Sequence, residues 1–247
     1  MHLDAFTPAQ HAWLMALLIL WAALLFGGFV CSPTREARRI PRWARMASSL
    51  LLMIAAWSGW LFVTETPAQG YAGRIALGMT FGFLGDLALA HLLGMRGSKA
   101  IMAGMAAFAV GHLFYITAIL HAGEMFRLIE ARTIGGSLAA WWLVALLGWW
   151  AMVMRGAKKP AALHWAALPY AWLLATTAGL AMSLALQSPV FIPLAAGTFL
   201  FLVSDLILAG ALFSGLALPL IHDAVWLTYG PGQMLIVFSI GSMLTLL

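Results

Sequence analysis

The sequence predicts an all-α, polytopic integral membrane protein with about eight transmembrane helices. Of its 247 residues, 64% are hydrophobic and 9% are charged, against about 25% charged in water-soluble domains. Its mean hydropathy of +0.97 excludes a disordered chain, which is polar and highly charged. The apolar residues fall in long unbroken runs, unlike the short alternating segments of an outer-membrane barrel. One cysteine, Cys31, provides no disulfide framework within the chain and no cysteine-based metal cage. The net charge of +5 does not indicate nucleic acid, because the basic residues lie in short loops where membrane orientation explains them.

A helix needs about 20 apolar residues to cross the hydrocarbon layer. The first run, 12–30, follows a segment without Lys or Arg, so it reads as a retained helix rather than a signal peptide. Arg35, Arg38, Arg39, Arg42 and Arg45 separate it from the second run, 47–63. Arg74 precedes the third, 75–93, and Arg96 and Lys99 divide that from the fourth, 101–120. Arg127 and Arg132 precede the fifth, 138–154. Arg155, Lys158 and Lys159 divide it from the sixth, 162–186, and the seventh and eighth are 190–213 and 225–247. The loop between these last two holds no Lys or Arg. Ten of the thirteen basic residues therefore follow odd-numbered helices. This asymmetry places those loops in the cytoplasm and both termini on the non-cytoplasmic side. Residues 1–247 read as a single transmembrane domain in the lipid bilayer, and nothing sets an oligomeric state. A faint repeat aligns residues 78–90 (GMTFGFLGDLALA) with 197–209 (GTFLFLVSDLILA), which suggests two parallel four-helix halves.

Six of the eight acidic residues, Asp4, Glu36, Glu65, Glu124, Glu130 and Asp223, fall in predicted tails or loops. The other two, Asp86 and Asp205, lie inside predicted spans. An acid at mid-membrane costs about 2.5–3.5 kcal/mol on insertion scales, so each marks a candidate functional position. From the ends of their runs, both lie roughly 10–12 Å below one face, a depth at which they can share a cavity. The small-residue stripe Gly78, Gly82, Asp86, Ala90 reads first as a close helix contact. His112 and Tyr115 share one face of the fourth helix, and Tyr229 and Gln233 share one face of the eighth. Between the latter two, Gly230-Pro231-Gly232 is expected to kink or loosen the helix. Ser204, beside Asp205, is expected to bond its own helix backbone, and His222 and Asp223 to be solvated loop residues.

The segments LGMTFGFLGDLALA, AGMAAFAVGHLFYITA, PLAAGTFLFLVSDLILAGALF and YGPGQMLIV resemble the YhhN-like lysoplasmalogenase family of integral membrane proteins. The elements carrying the resemblance are Gly85-Asp86, Gly111-His112 with Tyr115, Ser204-Asp205, and Tyr229 with Gln233. The chain departs from the family pattern at Arg45-Met46, commonly Lys-Pro, and in having Gly-Pro-Gly between Tyr229 and Gln233. The resemblance implies a lysophospholipid substrate, whose vinyl ether is hydrolysed to a fatty aldehyde and a glycerophospho-base. It also implies a multi-pass location, expected to be a bacterial cytoplasmic (inner) membrane.

Vinyl ethers hydrolyse when a proton adds to the distal vinyl carbon, giving an oxocarbenium ion that water attacks. Such a site needs a protonated acid and a negative charge facing the developing cation. Two carboxyl groups in one low-dielectric cavity supply both, because neighbouring like charges do not both ionise freely. Asp86 and Asp205 are thus the expected catalytic pair, with His112, Tyr115, Ser204, Tyr229 and Gln233 around the substrate. The scheme calls for no cofactor and no metal. A zinc-dependent intramembrane lipid hydrolase is the runner-up, although Asp86 and His91 point roughly 140° apart on a helix and no His pair has ligand spacing. A transporter or a non-catalytic scaffold built on the same buried acids is the alternative of a different class.

Overall fold

The computed structural model describes residues 6–32, 39–157 and 161–247. Among these residues the chain forms eight long helices and no strand. They are α1 (Pro8–Val30), α2 (Arg42–Phe62), α3 (Gln69–Leu89), α4 (Ser98–Met125), α5 (Ala131–Met154), α6 (Ala162–Gln187), α7 (Ile192–Phe213) and α8 (Ile221–Leu244). Each predicted run falls on one of them. Seven are long and apolar enough to cross a membrane. The exception, α8, matches them in length but carries His222, Asp223, Tyr229, Pro231 and Gln233. It can do so because it is an inner helix, packed on α1, α2, α3 and α7, with its polar side chains turned to protein rather than lipid. The outer surface is apolar, with Leu61, Leu147 and Leu186 all more than half exposed. The architecture is that of a polytopic, multi-pass membrane protein.

Local signals fix the helix ends. Thr7 and Gln10 form a reciprocal capping box at the start of α1: Gln10 N donates to Thr7 Oγ1 and Thr7 N donates to Gln10 Oε1. Apolar sequence continues to residue 93, yet α3 stops at Leu89. Ala90 caps it, His91 takes a left-handed φ of 62°, and Leu92 N donates back to Leu87 O at 2.9 Å. This bond satisfies a carbonyl the helix end would otherwise orphan. Asp86 therefore sits in the last turn of α3, about 4.5 Å along the axis from its end, not 10–12 Å as the run suggested. Asp205 stays about two turns inside α7.

The faint sequence repeat is carried by packing. α2 packs on α1 and α3, and α3 on α4; in the second half α6 packs on α5 and α7, and α7 on α8. α4 crosses to α6, and the equivalent α8 crosses to α2. The tightest crossings match as well. A Cβ added at Gly111 of α4 would stand 2.9 Å from Gly78 O, and one at Gly232 of α8 would stand 2.9 Å from Gly197 O. Gly78 and Gly197 are equivalent positions of the repeat, as are Asp86 and Asp205. The π-helical turns, Ala23–Gly27 and Trp150–Met154, fall in the equivalent helices α1 and α5.

Three expectations are corrected here. Asp223 is not a solvated loop residue: it is buried in the first turn of α8, where its carboxylate accepts from Arg39 N (2.7 Å) and Ile40 N (2.8 Å). It thereby ties the segment entering α2 to α8. Glu124 lies within α4. The Gly-Pro-Gly segment does not break α8, which is continuous through Pro231. Its glycines are points of close approach instead, Gly230 to Leu25 of α1 and Gly232 to the backbone of α7. The predicted loop residues Asp4, Arg35, Glu36, Arg38, Lys158 and Lys159 lie outside the described residues.

Candidate active site

Asp86 is held from two sides. Its Oδ2 accepts from Ser49 Oγ of α2 at 2.5 Å and from Tyr229 OH of α8 at 3.0 Å. Behind Tyr229 the donors line up in one direction. Tyr115 OH donates to Gln233 Oε1 (2.8 Å), Gln233 Nε2 donates to Tyr229 OH (3.3 Å), and Tyr229 passes its own hydrogen to Asp86. Gln233 and Tyr115 are buried, at 0% and 1% exposure, so each polar atom needs such a partner. The small-residue stripe on α3 makes room for this chain. A Cβ on Gly82 would stand 2.8 Å from Gln233 Nε2, and one on Gly78 would overlap the Tyr115 ring.

Asp205 is anchored separately, accepting through Oδ2 from Tyr170 OH of α6. Both aspartates line one cavity of about 360 Å³, together with Ser204, Phe108, Trp226 and Tyr229. Arg42, Arg45, His91 and His222 stand at its mouth, and Arg45 lies over the Trp226 ring at 5.5 Å. The left-handed turn that ends α3 places His91 there. Two carboxyl groups, each fixed by hydroxyl donors, thus face a pocket whose opening is basic. Such a pair can exchange a proton with a bound molecule on one wall and hold a cation against the other.

The remaining sequence candidates are placed differently. Ser204 does line the cavity, but its hydroxyl donates to Val225 O of α8 at 3.1 Å rather than to its own helix. Tyr115 and Gln233 stand one layer back and reach the cavity through Tyr229. His112 lies away from the cavity walls, edge-on to Phe201 with ring centroids 4.7 Å apart. Its Nδ1 is 2.9 Å from Thr177 Oγ1, whose own hydrogen goes to Leu173 O. Thr177 must therefore accept from His112, which fixes the hydrogen on Nδ1. Among the described residues, no three His, Cys, Asp or Glu side chains come together as metal ligands would.

Sequence reasoning missed Ser49 and Tyr170. The chain has only four tyrosines, all inside helices, and the fourth, Tyr71, is bonded to Ser239 at 2.6 Å. That scarcity was the available signal for Tyr170. For Ser49 it was the adjacent pair Ser48-Ser49 within the apolar run 47–63.

A profile of the YhhN family matches residues 40–240. The chain belongs to the YhhN family. The YhhN match runs from the start of α2 into α8 and contains every residue of the two carboxylate clusters. Membership supports, at the level of the family, a membrane hydrolase. No curated protein and no solved structure matches the chain.

Proposed function

We propose that this YhhN protein hydrolyses the vinyl ether bond of lysoplasmalogens, releasing a fatty aldehyde and a glycerophospho-base. The observation that carries the proposal is the pair of separately anchored carboxyl groups, Asp86 and Asp205, on the walls of one basic-mouthed cavity. Asp205 meets one hydroxyl donor and borders apolar side chains, and it is the proton donor. Asp86 accepts from the Ser49 and Tyr229 hydroxyls, which hold its carboxyl group in place, and it faces the cation. Asp205 adds its proton to the distal vinyl carbon, and the ether oxygen and its carbon share the resulting positive charge. Water then attacks that carbon while the proton it sheds passes to a carboxylate. The hemiacetal collapses to the aldehyde and the free glycerol hydroxyl, with no redox change and no cofactor. Arg42 and Arg45 at the mouth suit a phosphate headgroup.

The excess of basic residues in the odd-numbered loops supports placing this mouth at the cytoplasmic face of a bacterial inner membrane, with both termini on the opposite side. The test is purified protein given a vinyl ether lysolipid and its saturated ether counterpart, with aldehyde release measured for wild type, Asp86→Asn and Asp205→Asn. Aldehyde from the vinyl ether only, lost in both variants, is the expected result. Cleavage of acyl esters but not vinyl ethers, or lipid movement without cleavage, overturns it.

A further inference from the structure

A second cavity, of about 90 Å³, lies between α4, α5, α6 and α7. Its wall is apolar apart from Tyr170 and Asp205, and small side chains such as Ala145, Gly148 and Ala171 keep it open. It shares Leu89, Ile101, Phe108, Asp205, Leu208 and Leu212 with the basic-mouthed cavity, so the two spaces meet where Asp205 stands. α4 packs on α3 and α6 rather than on α5, and both α4 and α5 border the cavity. Leu212 of α7, on the wall of both cavities, is 44% exposed. An apolar space that continues a polar one, with a carboxyl group at the seam, has the division of an amphiphile: headgroup, reacting bond, hydrocarbon tail.

We propose that this pouch takes the hydrocarbon chain of the substrate, that the chain arrives sideways from the membrane between α4 and α5, and that the pouch sets chain-length preference. The assignment rests on the ether hydrolysis proposed above and adds a subsite to it. A chain lying there brings its first carbons against Asp205 while the headgroup remains under Arg42 and Arg45. Ala171 is half-buried on the pouch wall, so Ala171→Leu takes up space that the chain would fill. Leu174→Ala, on the same helix, enlarges it.

The experiment has two arms on the purified full chain. The first measures aldehyde release from eight-carbon and sixteen-carbon vinyl ether lysolipids. Ala171→Leu should lose about tenfold on the long chain, the equivalent of roughly two methylenes' burial, and change little on the short one. Leu174→Ala should shift preference the other way. The second arm measures binding of uncleavable saturated ether lysolipids of the same lengths by native mass spectrometry. The same length-dependent loss is expected for Ala171→Leu, whereas Arg42→Gln should weaken both lengths equally. Length-dependent binding without aldehyde release from wild type supports the pouch and overturns the hydrolysis. Release and binding that Ala171→Leu and Leu174→Ala leave independent of chain length overturn the pouch and leave the hydrolysis standing.

Discussion

Gly82→Ala places one methyl group against the chain of donors that ends on Asp86. The added Cβ would stand 2.8 Å from Gln233 Nε2, and ordinary contacts with a carbon lie near 3.5 Å, so the amide must retreat by roughly 0.7 Å. Gln233 is fully buried and tethered at both ends, to Tyr115 at 2.8 Å and Tyr229 at 3.3 Å. The second bond is already long, and such a retreat breaks it. Replacing Gly by Ala in a helix interior gains about 0.8–1 kcal/mol of propensity. Overpacking costs about 1–3 kcal/mol, and a buried amide hydrogen left unpaired costs about 1–3 kcal/mol more. The net loss of stability is therefore about 1–5 kcal/mol, and Tyr229 is left free to turn away from Asp86. Gly135→Ala on α5 is the control, because its Cβ would meet nothing within 4 Å. Thermal unfolding in detergent and aldehyde release should both fall for Gly82→Ala and be unchanged or improved for Gly135→Ala. If the two variants behave alike, the reasoning about the donor chain is wrong.

Ser49→Ala and Tyr170→Phe each remove one hydroxyl from a carboxyl group; hydrogen bonds to charged groups contribute about 1.5–3 kcal/mol, so turnover should fall about 10–100-fold in each. Replacing the aspartates themselves, Asp86→Asn or Asp205→Asn, should cut turnover by about 10²–10⁴-fold while the unfolding temperature changes little. Asp223→Ala leaves the N–H groups of Arg39 and Ile40 without their acceptor. It should speed protease cleavage in the segment between α1 and α2, and an unchanged cleavage rate would show that Asp223 does not restrain it. Arg42→Gln should raise KM for phosphate-bearing lysolipids more than it lowers kcat; the reverse split would remove Arg42 from the headgroup site.

Helix number and order were legible because a crossing segment needs about 20 predominantly apolar residues, and such runs stand out between the charged loops. Helix ends were less legible. The stop at Leu89 depends on His91 adopting a left-handed turn, which hydropathy does not register. Tyr229 and Gln233, one turn apart, do bond each other, as their spacing on α8 suggested. His112 and Tyr115 share a face in the same way, yet they point to different partners, Thr177 of α6 and Gln233 of α8. Residues three apart on a helix differ by roughly 60° around its axis, enough to reach separate neighbours in a tight bundle. Ser49 and Tyr170 stayed hidden for a related reason. Each gains its role only from the acid it meets on another helix, at sequence separations of 37 and 35 residues, and a serine pair or a scarce tyrosine in an apolar run marks a polar position without naming that partner.

The central claim is that a carboxylic acid in this cavity delivers a proton to carbon. Turnover of a vinyl ether lysolipid in heavy water, with the aldehyde trapped at once by reduction, reads that event directly. The account predicts one deuterium on the carbon next to the former carbonyl of the aldehyde from wild type, and about 10²–10⁴-fold slower formation of that aldehyde by Asp205→Asn. An aldehyde released by wild type without deuterium at that carbon would contradict it.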